Sequence, residues 1–369
     1  MNVMSTPRSV DLDITGSCNL RCTYCYHFSG PGEVTEDLPK AEWLSFFEEL
    51  RHCAVMSVTL SGGEPFLRKD LKELIAGIVE NRMRFSILSN GTLITDDIAE
   101  FLFFTDRCDG VQVSVDGSEP EIHDRLRGSG NFSRAIAGIR CLQQHHLPVQ
   151  VRVTINRHNI TDLESIAALL LEDLGLSTFS TNAASYMGLC RQNHQHVGLT
   201  SEDRALAMKI LMGLNKKYAD RISANAGPLA EIKMWTEMEL ARTEKKAPFP
   251  AGGYLTACGC VQEKIAVRAD GFIVPCTMLS HIELGRINRD DFKDIWQNHP
   301  EMKKMRQRAS IPLGDFAFCR QCGYIPYCTG NCPGLAYTIT GDVHHPSPDA
   351  CLRSFFEAGG SLPGKSIHA

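Results

Sequence analysis

The spacing of its cysteines constrains this chain more than any other feature. Cys18, Cys22 and Cys25 fall in one short segment, Cys-Asn-Leu-Arg-Cys-Thr-Tyr-Cys-Tyr, and Cys258, Cys260, Cys276, Cys319, Cys322, Cys328, Cys332 and Cys351 crowd the last third. The segment from Met1 to Leu20 mixes Arg8, Asp11 and Asp13 with polar residues, and no later run is apolar for long enough to span a bilayer. The expected location is therefore the cytoplasm, with no membrane partner, where reducing conditions keep thiols free. Fifteen cysteines in 369 residues then call for metal rather than a disulfide framework. Three thiolates on one loop suit three corners of a cubane iron–sulfur cluster and leave one iron open to an outside molecule. A zinc site completed by His27 or a distant residue is the alternative. Cys53, Cys108, Cys141 and Cys190 lie in or near apolar elements and read as small core residues.

Between Ser9 and about Ser180, short β-branched runs alternate with amphipathic stretches, the pattern of repeated βα units on a parallel sheet. The expected strands are Val10–Thr15, Ser57–Leu60, Arg84–Leu88, Val111–Val115, Val149–Ile155 and Ser177–Ala183. Helices are expected at Ala41–Arg51, Lys69–Glu80, Ile98–Phe104, Ser133–Gln144 and Asp162–Leu174. Six strands cannot close an eight-stranded barrel, so the expected α/β fold is an open, partial (β/α)6 barrel over 1–199. A helical bridge follows over 200–250, and the helix-breaking run Pro248–Gly253 opens a small cysteine-rich domain over 251–369. Gly359–Ala369 reads as a loose tail. A net charge of -5 offers no attraction to a phosphate backbone, so nucleic acid is not expected as a partner.

Four further motifs follow the strands in order. Gly62-Gly63-Glu64-Pro65 comes after the second, Ser89-Asn90-Gly91-Thr92 after the third, and Ser114-Val115-Asp116-Gly117 after the fourth, with His123-Asp124 and Arg127 beyond. All fall at the C-terminal ends of strands, the rim on which α/β barrels build their sites. With the C-x3-C-x2-C loop and Tyr24 before its third cysteine, they resemble the radical S-adenosylmethionine (SAM) superfamily. The resemblance implies that the open iron chelates the methionine amino and carboxylate groups of SAM. It places Gly62, Gly63 and Glu64, with Pro65, beside the amino group, Ser114 on the ribose and Tyr24 near the adenine, and it makes Ser89, Asn90 and Asp116 further cofactor-binding residues. Reductive cleavage of SAM would then release a 5′-deoxyadenosyl radical.

The C-terminal string, with Gly271-x4-Cys276, Cys319-x2-Cys322-x5-Cys328-x3-Cys332 and the segment Leu284–Asn288 before Ile295-Trp296, resembles the SPASM domain of peptide- and protein-maturing radical SAM enzymes. That resemblance implies an interleaved pair of auxiliary clusters, one on Cys258, Cys260, Cys276 and Cys332 and the other on Cys319, Cys322, Cys328 and Cys351, for three [4Fe-4S] clusters in all. Only Gly259 separates Cys258 from Cys260, closer than the family usually shows; if one is a bystander, the first auxiliary cluster keeps an open iron. A two-zinc domain is the alternative on spacing alone.

The implied function is radical modification, by cross-linking or oxidation, of a ribosomally made precursor peptide or protein. A flavodoxin- or ferredoxin-type reductant is expected, and recognition falls to the SPASM surface, the bridge or a separate leader-peptide recognition protein. One rival is a formylglycine-forming sulfatase maturase, but such relatives carry an aspartate after the cysteine matched by Cys276, and here the residue is Thr277. The enzyme that joins Glu and Tyr in the pyrroloquinoline quinone precursor often has aspartate where this chain keeps Cys328. A zinc-type cysteine-rich binding protein would leave the barrel motifs unexplained.

Overall fold

The computed structural model describes residues 3–29, 33 and 36–364. Its ten strands are β1 (Ser9–Thr15), β2 (Ser57–Gly62), β3 (Arg84–Ser89), β4 (Cys108–Ser114), β5 (Val149–Ile155), β6 (Phe179–Ala183), β7 (Ile222–Ala224), β8 (Lys264–Val267), β9 (Phe272–Val274) and β10 (Gly285–Arg286). They form one sheet in the order β10-β9-β8-β1-β2-β3-β4-β5-β6-β7. Every pairing from β8 through β1 to β7 is parallel, and β9 is antiparallel to both of its neighbours. The six expected strands occupy the centre of this open sheet in sequence order.

The sheet extends past both ends of that central run. On one side lies β7, too short at three residues to leave a periodic signal in the stretch read as helical. On the other lies β8, contributed by the C-terminal region and pairing with β1 from Ser9↔Lys264 to Leu12↔Val267. Parallel strands are joined by α1 (Lys40–His52), α2 (Leu71–Glu80), α3 (Asp96–Phe104), α4 (Pro120–Arg127), α5 (Asn131–Gln144) and α6 (Leu163–Ala168). The helix expected to run to Leu174 stops being α-helical at Ala168 and continues as a π-type turn over Leu169–Asp173. After β6 come two short helices, α7 (Gly188–Gln192) and α8 (His194–Val197), then α9 (Ser201–Lys217) and α10 (Pro228–Thr243), which flank β7.

The packing follows from alternation within each strand. In β4 and just after it, Val111, Val113 and Val115 are fully buried in the core, while Gln112 and Ser114 between them face the barrel's inner cavity. Helix α1 places Trp43, Phe46, Phe47 and Leu50 on one face at helical spacing, all with no exposed surface. That face also meets the C-terminal region, where Phe292 packs edge-on against Phe46 with ring centroids 5.4 Å apart. Trp296 is fully buried and donates its Nε1–H to the Met4 carbonyl at 2.8 Å. One continuous apolar core therefore runs from β1 through the C-terminal helices. Within the segment read as a loose tail, Leu362 is buried in that core, and residues 365–369 lie outside the described residues. No described helix is long and apolar enough to cross a membrane.

Candidate active site and cysteine groups

The loop after β1 is held from three sides. Thr15 Oγ1 and the Gly16 N–H donate to the two carboxylate oxygens of Asp37 at 2.5 and 2.7 Å. From α7, the Leu189 N–H donates to the carbonyls of Cys25 and Phe28, both at 2.9 Å. From β2, the Gly63 N–H donates to Thr15 O at 2.8 Å and the Glu64 N–H to Ser17 O at 2.9 Å. That last splice explains the glycine pair in a way the sequence alone did not. A Cβ on Gly62 would lie 2.2 Å from Thr15 O and one on Gly63 2.1 Å from Ser17 O, so no larger residue admits this approach of chain to chain.

Cys18, Cys22 and Cys25 open onto a cavity of about 300 Å³ at the C-terminal ends of the strands. Tyr24, Gly62, Gly63, Ser89, Asn90 and Ser114 line it as well. Burial raises the Cys18 thiol pKa and pushes that of Cys22 up to about 11, while the Arg127 cation, with Nη1 3.9 Å from the Cys22 sulfur, pulls the latter back. Asn90 Nδ2 approaches the Cys18 sulfur at 3.9 Å and donates to Asn19 Oδ1 at 2.9 Å.

Three of the expected cofactor residues stand behind the cavity wall instead of in it. Glu64 is fully buried and accepts from the Asn90 N–H at 2.7 Å, Ser89 Oγ at 2.9 Å and the Phe66 N–H at 3.2 Å, so its carboxylate ties β2 to β3. Burial raises its pKa to about 6 against these bonds. Pro65 starts the 3-10 turn that sets Glu64 inward. Asp116, also fully buried, accepts from the Tyr24 hydroxyl, from Arg127 Nε at 2.5 Å and from the Thr154 N–H at 2.7 Å. It locks the cysteine loop to β4, α4 and β5. The Asp116 N–H donates to His123 Nδ1 at 3.2 Å, and burial with the nearby Arg127 lowers the His123 pKa to about 4, leaving it neutral.

The sequence reading missed Gln112, Arg152, Thr154 and Asn182 in the cavity wall, and did not assign Arg127, which also reaches it, a role. The signal was present: in β4 and β5 a polar residue recurs at every second position of the C-terminal half. Arg152 donates from Nε to Ser180 Oγ at 2.7 Å, forms no ion pair among the described residues, and has its pKa lowered by burial. It is a cation facing the cavity without a carboxylate partner among the described residues.

The eight cysteines of the last third lie in two groups, with the membership that the SPASM resemblance implies. Cys258 and Cys260 have their sulfurs 3.6 Å apart, Cys260 also donates toward Cys276, and Cys332 lies close enough to feel Cys258 and Cys276. Cys258 holds φ at +68°, a costly conformation for a side-chain-bearing residue, which marks a position under constraint. Cys319, Cys322, Cys328 and Cys351 line one small cavity with Leu313, Ile325 and Met238; burial pushes Cys319 up to about 12 and Cys328 to about 11.

Beside the first group lies a residue the sequence gave no reason to single out. Arg308 is fully buried; its Nε donates to Thr256 O at 2.9 Å, but both terminal nitrogens lack a partner, and the anionic groups acting on it are Cys332, Asp342 and Cys258. A buried guanidinium with two unpartnered nitrogens is expensive, and an anionic metal–thiolate centre at Cys258 and Cys332 would compensate its charge. Burial raises the Tyr26 pKa, and Cys25 and Cys276, one from each region, both add to that rise.

The radical SAM superfamily profile matches residues 12–170, and an iron–sulfur cluster-binding domain, SPASM, matches residues 258–323. The AdoMet-dependent heme synthase of Methanosarcina barkeri is 27% identical over 95% of this chain and 97% of its own. The sporulation killing factor maturation protein SkfB of Bacillus subtilis is 29% identical over 78% of this chain and 64% of its own. In fold, the chain is similar to Streptococcus suis SuiB, solved with its precursor peptide SuiA, with a TM-score of 0.71 at 15% identity over 95% of this chain and 77% of that one. The chain is a radical SAM enzyme with a C-terminal iron–sulfur cluster-binding SPASM domain.

Proposed function

We propose that Cys18, Cys22 and Cys25 hold the radical-generating cluster with SAM on its open iron, that the two four-cysteine groups hold two auxiliary clusters, and that the substrate is a ribosomally made peptide or protein. The observation that carries the first part is the cavity at the strand ends: three cysteines line it, and among the described residues no fourth does. When bound, the cluster and SAM supply a 5′-deoxyadenosyl radical that takes hydrogen from an unactivated carbon. The chain's own residues position and enclose. Arg152 offers its unpaired charge to the methionine carboxylate, Ser114 and Gln112 offer hydrogen bonds from the cavity wall, and Asp116 keeps Tyr24 and Arg127 packed over the cysteine loop. Glu64, its oxygens already engaged, acts through the position of the Gly62–Gly63 backbone.

The peptide reading draws on the kinship with SkfB, a maturation protein, and on the SuiB-like fold. A separate leader-recognition protein and a flavodoxin- or ferredoxin-type reductant complete it. A second reading has its own support: the heme synthase and the Fe-coproporphyrin III synthase of Methanosarcina barkeri match 95% and 94% of this chain, and a propionate side chain would also satisfy Arg152. Incubation with SAM, dithionite and either Fe-coproporphyrin III or peptides encoded beside the gene separates the two by product mass. The radical assignment is tested without any substrate. Wild type should slowly release 5′-deoxyadenosine, Cys22→Ala should not, and Cys322→Ala should retain cofactor cleavage while losing product formation. Release by folded Cys22→Ala at the wild-type rate would overturn the assignment.

A further inference from the structure

Away from the cavity, three side chains of ligating type meet on the helical layer. Asp96 opens α3, and Cys141 and His145 stand one turn apart at the C-terminal end of α5. That i, i+4 spacing puts thiol and imidazole on one face. The Cys141 thiol donates to Asp96 Oδ1 at 3.5 Å, and His145 Nε2 lies 3.2 Å from the same oxygen. One ligand atom from each residue lies within 4.8 Å of the other two. An ordinary His–Asp ion pair would need only two of these groups; the thiol at the third corner makes a donor set of sulfur, nitrogen and oxygen, which suits zinc.

We propose that Asp96, Cys141 and His145 bind a Zn²⁺ ion, separate from the iron–sulfur cysteines. Cys141 binds as thiolate, releasing its proton to solvent, His145 binds as the neutral ring through Nε2, and Asp96 binds through a carboxylate oxygen. The Asp96 side chain is 83% exposed, so water completes the tetrahedron. The ion joins α3 to α5 and braces the start of α3, six residues after Asn90 in the cavity wall.

The test uses the anaerobic, iron-loaded enzyme dialysed against buffered Zn²⁺, with zinc and iron counted together by plasma mass spectrometry. Wild type should hold one zinc with its iron unchanged, and Cys141→Ser and His145→Ala should each weaken zinc binding by about tenfold or more while keeping the full iron content. Zinc-edge X-ray absorption should show one sulfur at about 2.3 Å with nitrogen and oxygen neighbours. Absence of zinc, wild-type zinc affinity in the two variants, or a shell of three or more sulfurs, which would place the ion on the other cysteines, overturns the proposal.

Discussion

Replacing Arg308 with Met keeps much of the side chain's volume and removes its charge. In wild type the guanidinium is fully buried, with two nitrogens unpartnered and Cys258 and Cys332 as neighbours. Reduction adds an electron to the cluster proposed there, and a nearby cation favours the reduced state. At a separation of about 6 Å and an effective dielectric constant of about 20, the interaction is about 2.8 kcal/mol. At about 1.4 kcal/mol per 59 mV for a one-electron couple, Arg308→Met should make that cluster about 120 mV harder to reduce. The assay is a redox titration followed by electron paramagnetic resonance, in a Cys22→Ala background that removes the N-terminal cluster. Stability should respond in the opposite sense: in iron-free protein the buried charge has no full compensation, so Arg308→Met should unfold at no lower denaturant concentration than Arg308. A potential shifted by less than about 20 mV at full iron content would refute the reasoning, because no charge near the cluster can be lost so cheaply.

Further outcomes follow from the same geometry. Asp116→Asn leaves Arg127 buried beside a neutral amide and should cost about 3–5 kcal/mol in anaerobic denaturant titrations, whereas Tyr24→Phe, which removes one hydrogen bond to the same carboxylate, should cost about 1 kcal/mol. Gly63→Ala drives a methyl into Ser17 O and should lower bound iron by about four atoms per chain; Gly213→Ala, where a Cβ meets nothing within 4 Å, should leave iron unchanged. Cys258→Ala and Cys260→Ala, compared by iron count and Mössbauer spectra, decide which thiol of that close pair is a ligand: loss of about four irons marks a required one, and retention with an altered iron site marks a replaceable one.

The central sheet was legible because β-branched runs at regular spacing need no tertiary information, and Val149–Ile155 was placed to the residue. The three-residue β7 and the C-terminal strand β8 were not, since a segment that short is a strand only by virtue of the neighbour it pairs with. At the site, the cysteines and the glycine pair announced themselves by type and spacing. Arg152 was marked only by the polar alternation of β5, and Asn182 not at all, because a polar residue in a strand does not by itself say whether it faces water or a cavity. For Asp116 and Glu64, expected among the cofactor-binding residues, sequence order gives the place at the rim, but only the coordinates show their oxygens engaged by neighbouring backbone and side chains. Arg308 was invisible because nothing in a lone arginine between Gln307 and Ala309 signals complete burial.

The pairing of β8 with β1 has a consequence for how electrons travel. Cys18 follows β1 by three residues, while Cys258 and Cys260 precede β8 and Cys276 closes the hairpin that β8 begins, so both cysteine regions hang from adjacent strands of one sheet. Tunnelling rates fall exponentially with distance, and a gap spanned by a flexible linker would sample a wide range of them. Here the gap is set by backbone hydrogen bonds and a shared apolar core. Clusters held by the cysteines proposed above would therefore face one another across a span set by the fold, and any electron passed between them would meet the same distance on every turnover.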